Sequence, residues 1–156
     1  MTEKTDVLIS LKPKYADSIF GGTKTVELRK RRPKIEAGTK VWIYTTIPTA
    51  AISGHANIVK IVSGSTSKIW KTWGQQTGVT KAEFDAYFKG RKLAHVLVLA
   101  DIMRMKEALS LSRIREIIAD FHPPQFYLRL NGNREKLRLS SRKYIPARKN
   151  NKKTSH

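Results

Sequence analysis

Short runs of aliphatic and β-branched residues recur along the chain between Gly, Pro and Asn, and each run predicts a β-strand. Residues 23–30 follow a period of two, in which Val26 and Leu28 alternate with Thr25, Glu27 and Arg29, and this is typical of a half-buried strand. Residues 96–100 are almost all apolar, which favours a central strand. The predicted strands are residues 6–12, 23–30, 41–46, 51–63, 93–103 and 125–130.

Apolar residues spaced by three and four positions predict helices between these strands. Thr80 and Glu83 form a capping-box pattern at the start of one helix. A second helix, residues 14–20, follows Pro13, which suits a helix start, and the remaining predicted helices are residues 65–73 and 112–121. This order of elements predicts an α+β fold, a small mixed and mostly antiparallel β-barrel with peripheral helices, rather than a doubly wound parallel sheet. Gly54, inside a predicted strand, indicates a bulge or a close backbone approach.

The chain divides by composition after residue 130. Residues 1–130 are long enough to bury one hydrophobic core and are expected to form a single domain. Residues 131–156 are basic and contain few large apolar side chains, so we expect a mobile tail.

Charge is the strongest compositional signal in the chain. Thirty-one Lys and Arg face 12 Asp and Glu, which gives a net charge of +19. Residues 131–156 carry +8 of this charge, and residues 1–130 carry +11. A basic domain as well as a basic tail predicts a polyanionic partner, with a basic protein that has no specific partner as the alternative.

Several classes of protein are disfavoured by what the chain lacks. It has no cysteine, which excludes disulfides, thiolate nucleophiles and cysteine-bound zinc. Its four histidines lack metal-ligand spacing, so we expect neither a metal nor a cofactor. It has no secretory signal pattern and no apolar run of membrane-spanning length. The expectation is a cytoplasmic protein, monomeric and without a membrane partner.

Residues 24–34 contain six Lys or Arg and follow a predicted helix. The pattern Gly22-x-Lys24-x-x-Glu27-x-Arg29 places cations beside free backbone amides, an arrangement that favours anions. The alternative is an edge strand whose charges protect it from aggregation.

This pattern, preceded by the strand-helix unit of residues 8–19 and followed by Val41-Trp-Ile-Tyr and Ile52-Ser-Gly-His-Ala-Asn-Ile, resembles the ASCH family of the PUA-like fold. The resemblance covers residues 6 to about 130. It implies a compact β-barrel with helices around a cleft lined by Lys24, Glu27 and Arg29. It also implies RNA binding or, in related enzymes, deacetylation of a modified cytidine or cleavage of RNA. The deacetylating enzymes use a Lys, Thr and Glu set; here Thr25 lies one residue after Lys24 instead of three, and a catalytic set would be Lys24, Glu27 and Thr25.

Further side chains are candidates for contacts to nucleic acid. The exposed-looking cations beside the cleft would extend its basic surface; they are Lys12, Lys14, Lys30, Arg31 and Arg32. Tyr44 and Thr46 at a strand end, His55 after Gly54, and Gln125 after two prolines could stack on a base or bind its edge. For Tyr44 the alternative is a core position, and for His55 a solvent-facing one.

The sequence as a whole predicts a nucleic-acid-binding protein, with RNA preferred over DNA and with a cleft that could accept a nucleoside. Binding is favoured over catalysis. Two alternatives remain: a hydrolase in the same cleft, acting on a modified nucleoside or on single-stranded RNA, and a reader of modified bases in DNA.

Overall fold

The computed structural model describes residues 4–142, and its body is one mixed six-stranded sheet. The strands are β1 Val7–Leu11, β2 Val26–Arg29, β3 Lys40–Thr45, β4 Ala51–Ser65, β5 Leu93–Ser110 and β6 Leu128–Arg129. They lie in the order β2-β5-β4-β3-β1-β6. Only β1 and β3 pair in parallel, and the other four pairs are antiparallel. The predicted mixed, mostly antiparallel α+β fold is confirmed.

The sheet curves but does not close into a complete barrel. Its two outermost strands, β2 and β6, share no ladder of backbone hydrogen bonds in the part of the chain that the structure describes. The long β4–β5 pair bends at three shifts of register, one of them between Ile52 and Gly54. A Cβ on Gly54 would lie 2.4 Å from the Met103 carbonyl oxygen and 2.4 Å from the Phe20 ring. The close backbone approach predicted at Gly54 is therefore present.

Five helices surround the sheet: α1 Pro13–Phe20, α2 Thr66–Trp73, α3 Lys81–Tyr87, α4 Leu111–Ile117 and α5 Glu135–Arg142. The predicted capping box begins α3, where Thr80 Oγ1 accepts a bond from the Glu83 amide and Glu83 Oε1 accepts one from the Thr80 amide. None of the helices within residues 4–142 is long and apolar enough to span a membrane.

Three clusters of buried side chains form the core. Alternate residues of β3 divide between two of them: Val41 and Ile43 face the cluster that includes Ile19 of α1, whereas Trp42 and Tyr44 face the cluster beneath α4 and α5. The third cluster joins Val26 of β2 to α2, α3 and β5. The pocket described below lies beside the third cluster, which fixes β2 against α3.

Ordered structure continues beyond residue 130, where a mobile tail was expected. Leu137 of α5 is fully buried in the second cluster, and Ser141, one turn later, is also buried. A single large apolar side chain on the inner face of this short helix is enough to dock it. The rest of the predicted tail, residues 143–156, lies outside the described residues.

Candidate nucleic-acid interface

Lys24 is the most deeply buried cation of the predicted cleft. It follows the turn that ends α1, and its amide donates to the Ser18 carbonyl at 3.1 Å. Only 2% of the residue is exposed. Its Nζ donates to the Thr77 carbonyl oxygen at 2.8 Å and lies 5.5 Å from the centre of the Tyr15 ring.

The loop of residues 74–79 positions the Lys24 side chain. Thr77 is fully buried, and its hydroxyl donates to the Gly74 carbonyl at 2.7 Å, which fixes the carbonyl that Lys24 contacts. Gly78 adopts φ +69°, and a Cβ there would lie 2.9 Å from the Lys24 Cβ. Both the backbone conformation and the contact require glycine at this point.

Burial lowers the pKa of Lys24, because the ammonium form loses hydration inside the protein. Glu27 opposes this shift by favouring the charged form, and Arg29 adds to it by repulsion. The Lys24 ammonium is therefore a stronger acid than that of an exposed lysine.

Glu27 and Arg29 of β2 each keep unused hydrogen-bonding capacity beside Lys24. Glu27 is 6% exposed; its Oε1 accepts a bond from the Leu28 amide at 2.9 Å, and its Oε2 has no partner within residues 4–142. Arg29 donates from Nη1 to the Phe126 carbonyl at 3.3 Å, while its buried Nη2 has no partner among the described residues. Unsatisfied buried atoms on charged groups are costly and indicate a place for a ligand or water.

Lys24 and Glu27, but not Arg29, line a small pocket of about 50 Å³. Its walls are Tyr15, Lys24, Glu27, Leu28, Val79, Glu83, Phe84 and Tyr87. At its rim Lys14 forms an ion pair with Glu83 at 3.0 Å. Tyr87 is 39% exposed and donates to the Leu28 carbonyl at 3.3 Å. Burial raises the pKa of Tyr87, so the hydroxyl remains protonated at neutral pH.

Of the central set of predicted residues, Lys24 and Glu27 line the pocket, whereas Arg29 lies on β2 outside its lining; Lys14 lies at the rim through its ion pair with Glu83. Lys12 is exposed beside the start of α1, and Lys30, Arg31 and Arg32 are exposed after β2. Thr25 lies beside Lys24 in the chain but does not line the pocket; its amide donates to the Gln76 carbonyl at 3.0 Å. Glu27 is buried, so β2 is more than an edge strand protected by solvated charge.

Three other candidates lie away from this pocket. Tyr44 is buried against Phe121, on the face of β3 opposite to Val41 and Ile43, as its alternative core position predicts. Thr46 and Gln125 do not line the pocket either, and Gln125 is exposed. The reason for Tyr44 is strand alternation, which turns it to the same side as Trp42.

His55 is also separate from the pocket. It pairs across the strands with Trp42, with ring centres 5.0 Å apart, and is only 8% exposed rather than facing solvent. Burial, with a contribution from Lys40, lowers the pKa of His55. Neither ring nitrogen has a partner within residues 4–142. No group of three or more acidic or histidine side chains in this part of the chain is arranged to hold a metal ion.

Three contributors to the pocket could not be identified from the sequence. Tyr15 and Tyr87 occupy apolar helical faces, a pattern that predicts packing rather than a pocket wall. Thr77 supplies a backbone carbonyl, which no side-chain motif records. The Thr77-Gly78-Val79 turn is the one visible signal, and it predicts a loop without indicating what that loop contacts.

The fold and the pocket together define a PUA-like domain with a small pocket beside Lys24. A family model described as a domain of unknown function (DUF365) matches residues 5–120. An ASCH domain-containing ribonuclease of Zymomonas mobilis is 32% identical over 123 residues, which is 79% of this chain and 82% of that protein. The crystal structure of ASCH from Zymomonas mobilis superposes with a TM-score of 0.81 at 31% identity, over 88% of this chain and 96% of that one. The chain belongs to the ASCH domain family, and its function is related to nucleic acid.

More distant proteins share parts of this similarity. The large ribosomal subunit protein uL22 of Ureaplasma parvum is 28% identical over 106 residues, which cover 68% of this chain and 34% of that protein. Human THYN1, solved in complex with DNA containing 5-methylcytosine, superposes with a TM-score of 0.53 at 12% identity. It covers 91% of this chain and 99% of that one, and shows a shared fold alone.

Proposed function

We propose that this protein binds single-stranded RNA and cleaves it at a nucleotide whose ribose hydroxyl and phosphate contact the Lys24 pocket. The observation that carries the proposal is that two buried atoms, Glu27 Oε2 and Arg29 Nη2, have no partner within residues 4–142, on side chains whose charges act on the buried amine of Lys24. One atom accepts hydrogen bonds and the other donates them. A ribose hydroxyl next to a phosphate offers the complementary donor and acceptor.

The chemistry follows from these roles. Glu27 accepts the proton of the ribose 2′-hydroxyl while the 2′-oxygen forms a bond to the adjacent phosphorus. Arg29 donates to a phosphate oxygen and stabilises the charge that develops there. The bond from phosphorus to the 5′-oxygen breaks, and the Lys24 ammonium gives its proton to that leaving oxygen. The lowered pKa of Lys24 makes it a stronger acid for this step.

The similarity to a ribonuclease over most of both chains supports cleavage in addition to binding. The proposed reaction requires RNA rather than DNA, since only ribose can supply the 2′-hydroxyl that acts as nucleophile. The deacetylase alternative loses support, because Thr25 does not line the pocket that holds Lys24 and Glu27.

The test is cleavage of an end-labelled single-stranded RNA, compared with DNA of the same sequence and with RNA carrying one 2′-deoxy position. The wild-type protein should cleave RNA and not DNA, and its products should end in a 2′,3′-cyclic phosphate. The phosphodiester bond that follows the 2′-deoxy position should remain intact. Lys24→Met and Glu27→Gln preserve side-chain size and should each lower the cleavage rate by about a hundredfold or more, as expected for loss of a proton-transfer group.

Lys106→Met is the matched control, since this lysine is exposed on β5 and outside the pocket. It should cleave at the wild-type rate. Binding of RNA with no product under any condition would instead make the protein a binding module. Full activity in both Lys24→Met and Glu27→Gln would remove the pocket from the reaction.

A further inference from the structure

The unclosed edge of the sheet forms a distinct surface, which we call the seam. Residues 30–34, which follow β2, form one side, and residues 126–129, which include β6, form the other. The two sides contain five cations and no acid. The cations are Lys30, Arg31, Arg32, Lys34 and Arg129.

Arginine contacts, rather than backbone pairing, hold the two sides of the seam together. Arg29 donates to the Phe126 carbonyl at 3.3 Å from the pocket side. The Arg31 guanidinium lies over the Phe126 ring, 4.6 Å from its centre. Arg129 donates from the opposite side to the Lys34 carbonyl. The seam is therefore ordered, although its strand edges are unpaired.

Cations and aromatic rings alternate along the seam. In addition to the Arg31–Phe126 pair, Lys30 Nζ lies 4.7 Å from the Tyr87 ring centre, and Arg129 lies 5.7 Å from that of Tyr127. The rings of Phe126 and Tyr127 meet edge to face at 4.8 Å. Tyr87 also lines the Lys24 pocket, so the series begins at the pocket and continues away from it.

We propose that the seam binds the nucleotides of single-stranded RNA that flank the one in the Lys24 pocket. This inference rests on the proposed function. Unstacked bases gain from aromatic faces and from guanidinium planes, and their phosphates gain from cations spaced between those faces. Because double-stranded RNA keeps its bases stacked inside the helix, the seam selects single strands. The Arg31–Phe126 pair, which crosses the seam, is its central stacking site.

The experiment compares binding of a dinucleotide, an eight-nucleotide single-stranded RNA and a duplex of the same sequence by the full chain. Arg31→Gln and Phe126→Leu should each weaken the eight-nucleotide complex by about fivefold to a hundredfold, the range for loss of one stacked base. Both variants should leave dinucleotide cleavage unchanged. Arg31→Gln should also reduce the slope of log affinity against log salt by about 0.7.

Arg104→Gln is the matched control, because Arg104 is an exposed arginine over the Phe20 ring at 4.7 Å, away from the seam. It should bind the eight-nucleotide RNA with wild-type affinity, and thermal unfolding should show all three variants folded. The seam proposal is overturned if both seam variants bind the eight-nucleotide RNA with wild-type affinity, or if the wild-type protein binds the duplex as tightly as the single strand. In either case, cleavage of the dinucleotide by the wild-type protein would still support the proposed function. A wild-type protein that neither binds nor cleaves RNA of any length overturns both.

Discussion

Lys24 combines a free-energy cost, which comes from the burial of its ammonium group, with the role proposed for it in RNA cleavage. An ammonium group with 2% exposure has lost almost all its hydration, and the Thr77 carbonyl replaces only part of it. Glu27, the nearest acid, spends one carboxylate oxygen on the Leu28 amide. The folded protein therefore favours the neutral amine more than the unfolded chain does, and this difference makes stability depend on pH.

The first prediction concerns that dependence. Between the lowered pKa of Lys24 in the folded protein and its ordinary value of 10.5, the unfolded chain holds a proton that the folded protein has lost. The free energy of unfolding must then rise with pH in this window, because the state that binds more protons is disfavoured by raising pH. The penalty for burying the charge is complete below the window and absent above it. In urea unfolding, Lys24→Met should lose this rise.

The difference between wild type and Lys24→Met isolates the lysine, since the tyrosines titrate in both proteins. Lys106→Met, at an exposed position, should keep the wild-type slope. Parallel curves for wild type and Lys24→Met would mean that Lys24 has the same pKa in both states.

Gly78 supplies a second prediction for single residues. Gly78→Ala should lose about 1–2 kcal/mol from the positive φ alone, and its Cβ should push Lys24 out of place. Gly90→Ala is the matched control, because Gly90 has φ +77° with no atom within 4 Å of the added Cβ. Thermal unfolding should show a loss in both variants, whereas RNA cleavage should fall only in Gly78→Ala. Equal rates of RNA cleavage by the two variants would show that the loop of residues 74–79 does not position Lys24 for the reaction.

Among the elements, α5 is the helix that the basic composition of residues 131–156 did not predict. Leu137→Ala should lower the free energy of unfolding by about 2–5 kcal/mol, as expected for a fully buried leucine. Leu139→Ala on the same helix should change it by less than about 0.5 kcal/mol, because Leu139 is 50% exposed. Urea unfolding of both variants distinguishes a docked helix from a loose extension. A small effect at both positions would show that α5 adds little to the core.

The order of the elements could be predicted from the sequence because each element has its own local signal. Apolar runs mark the strands, the Thr80 capping box marks α3, and Pro13 marks the start of α1. Lengths were less accessible. β5 continues to Ser110 rather than 103 because Leu109 and Ser110 pair with Ile52 and Ala51, a partnership set by tertiary structure. β6 is limited to Leu128–Arg129, which are the residues after β5, within the described part of the chain, that pair with β1.

The candidate site was accessible only in part, for a similar reason. Lys24, Glu27 and Arg29 lie within six positions of one another, and the resemblance to the ASCH family places them around one cleft; of the three, Lys24 and Glu27 line the pocket. Tyr87, which lines that pocket, and Thr77, whose carbonyl holds Lys24, come from segments more than fifty residues further along the chain. Tyr44 was placed there by analogy, but its strand face turns it to the opposite core cluster.

For the whole molecule, the proposals give the net charge of +19 two roles, which are specific contacts to the RNA and general attraction to phosphate. The Lys24 pocket and the seam hold cations in fixed geometry against aromatic rings, an arrangement that can discriminate between ligands. Residues 143–156 contribute five cations and no acid. Charges that contact phosphates without base contacts add affinity equally for any nucleic acid.

The final prediction separates these two contributions by salt. If six or more cations neutralise phosphates, affinity of the full chain for single-stranded RNA should fall by about 300-fold or more between 50 and 200 mM salt. The chain shortened to residues 1–142 keeps a charge of +14 and every described contact. Its slope of log affinity against log salt should be shallower by up to about 3.5, which is about 0.7 for each of the five cations removed.

The shortened chain should also keep its preference for single-stranded RNA over single-stranded DNA, measured as a ratio of affinities at each salt concentration. The ratio should remain constant because the pocket and the seam are intact, whereas the lost attraction does not depend on the sugar. A preference that disappears together with residues 143–156 would place recognition in that segment. In that case the pocket would contribute to cleavage without contributing to selection.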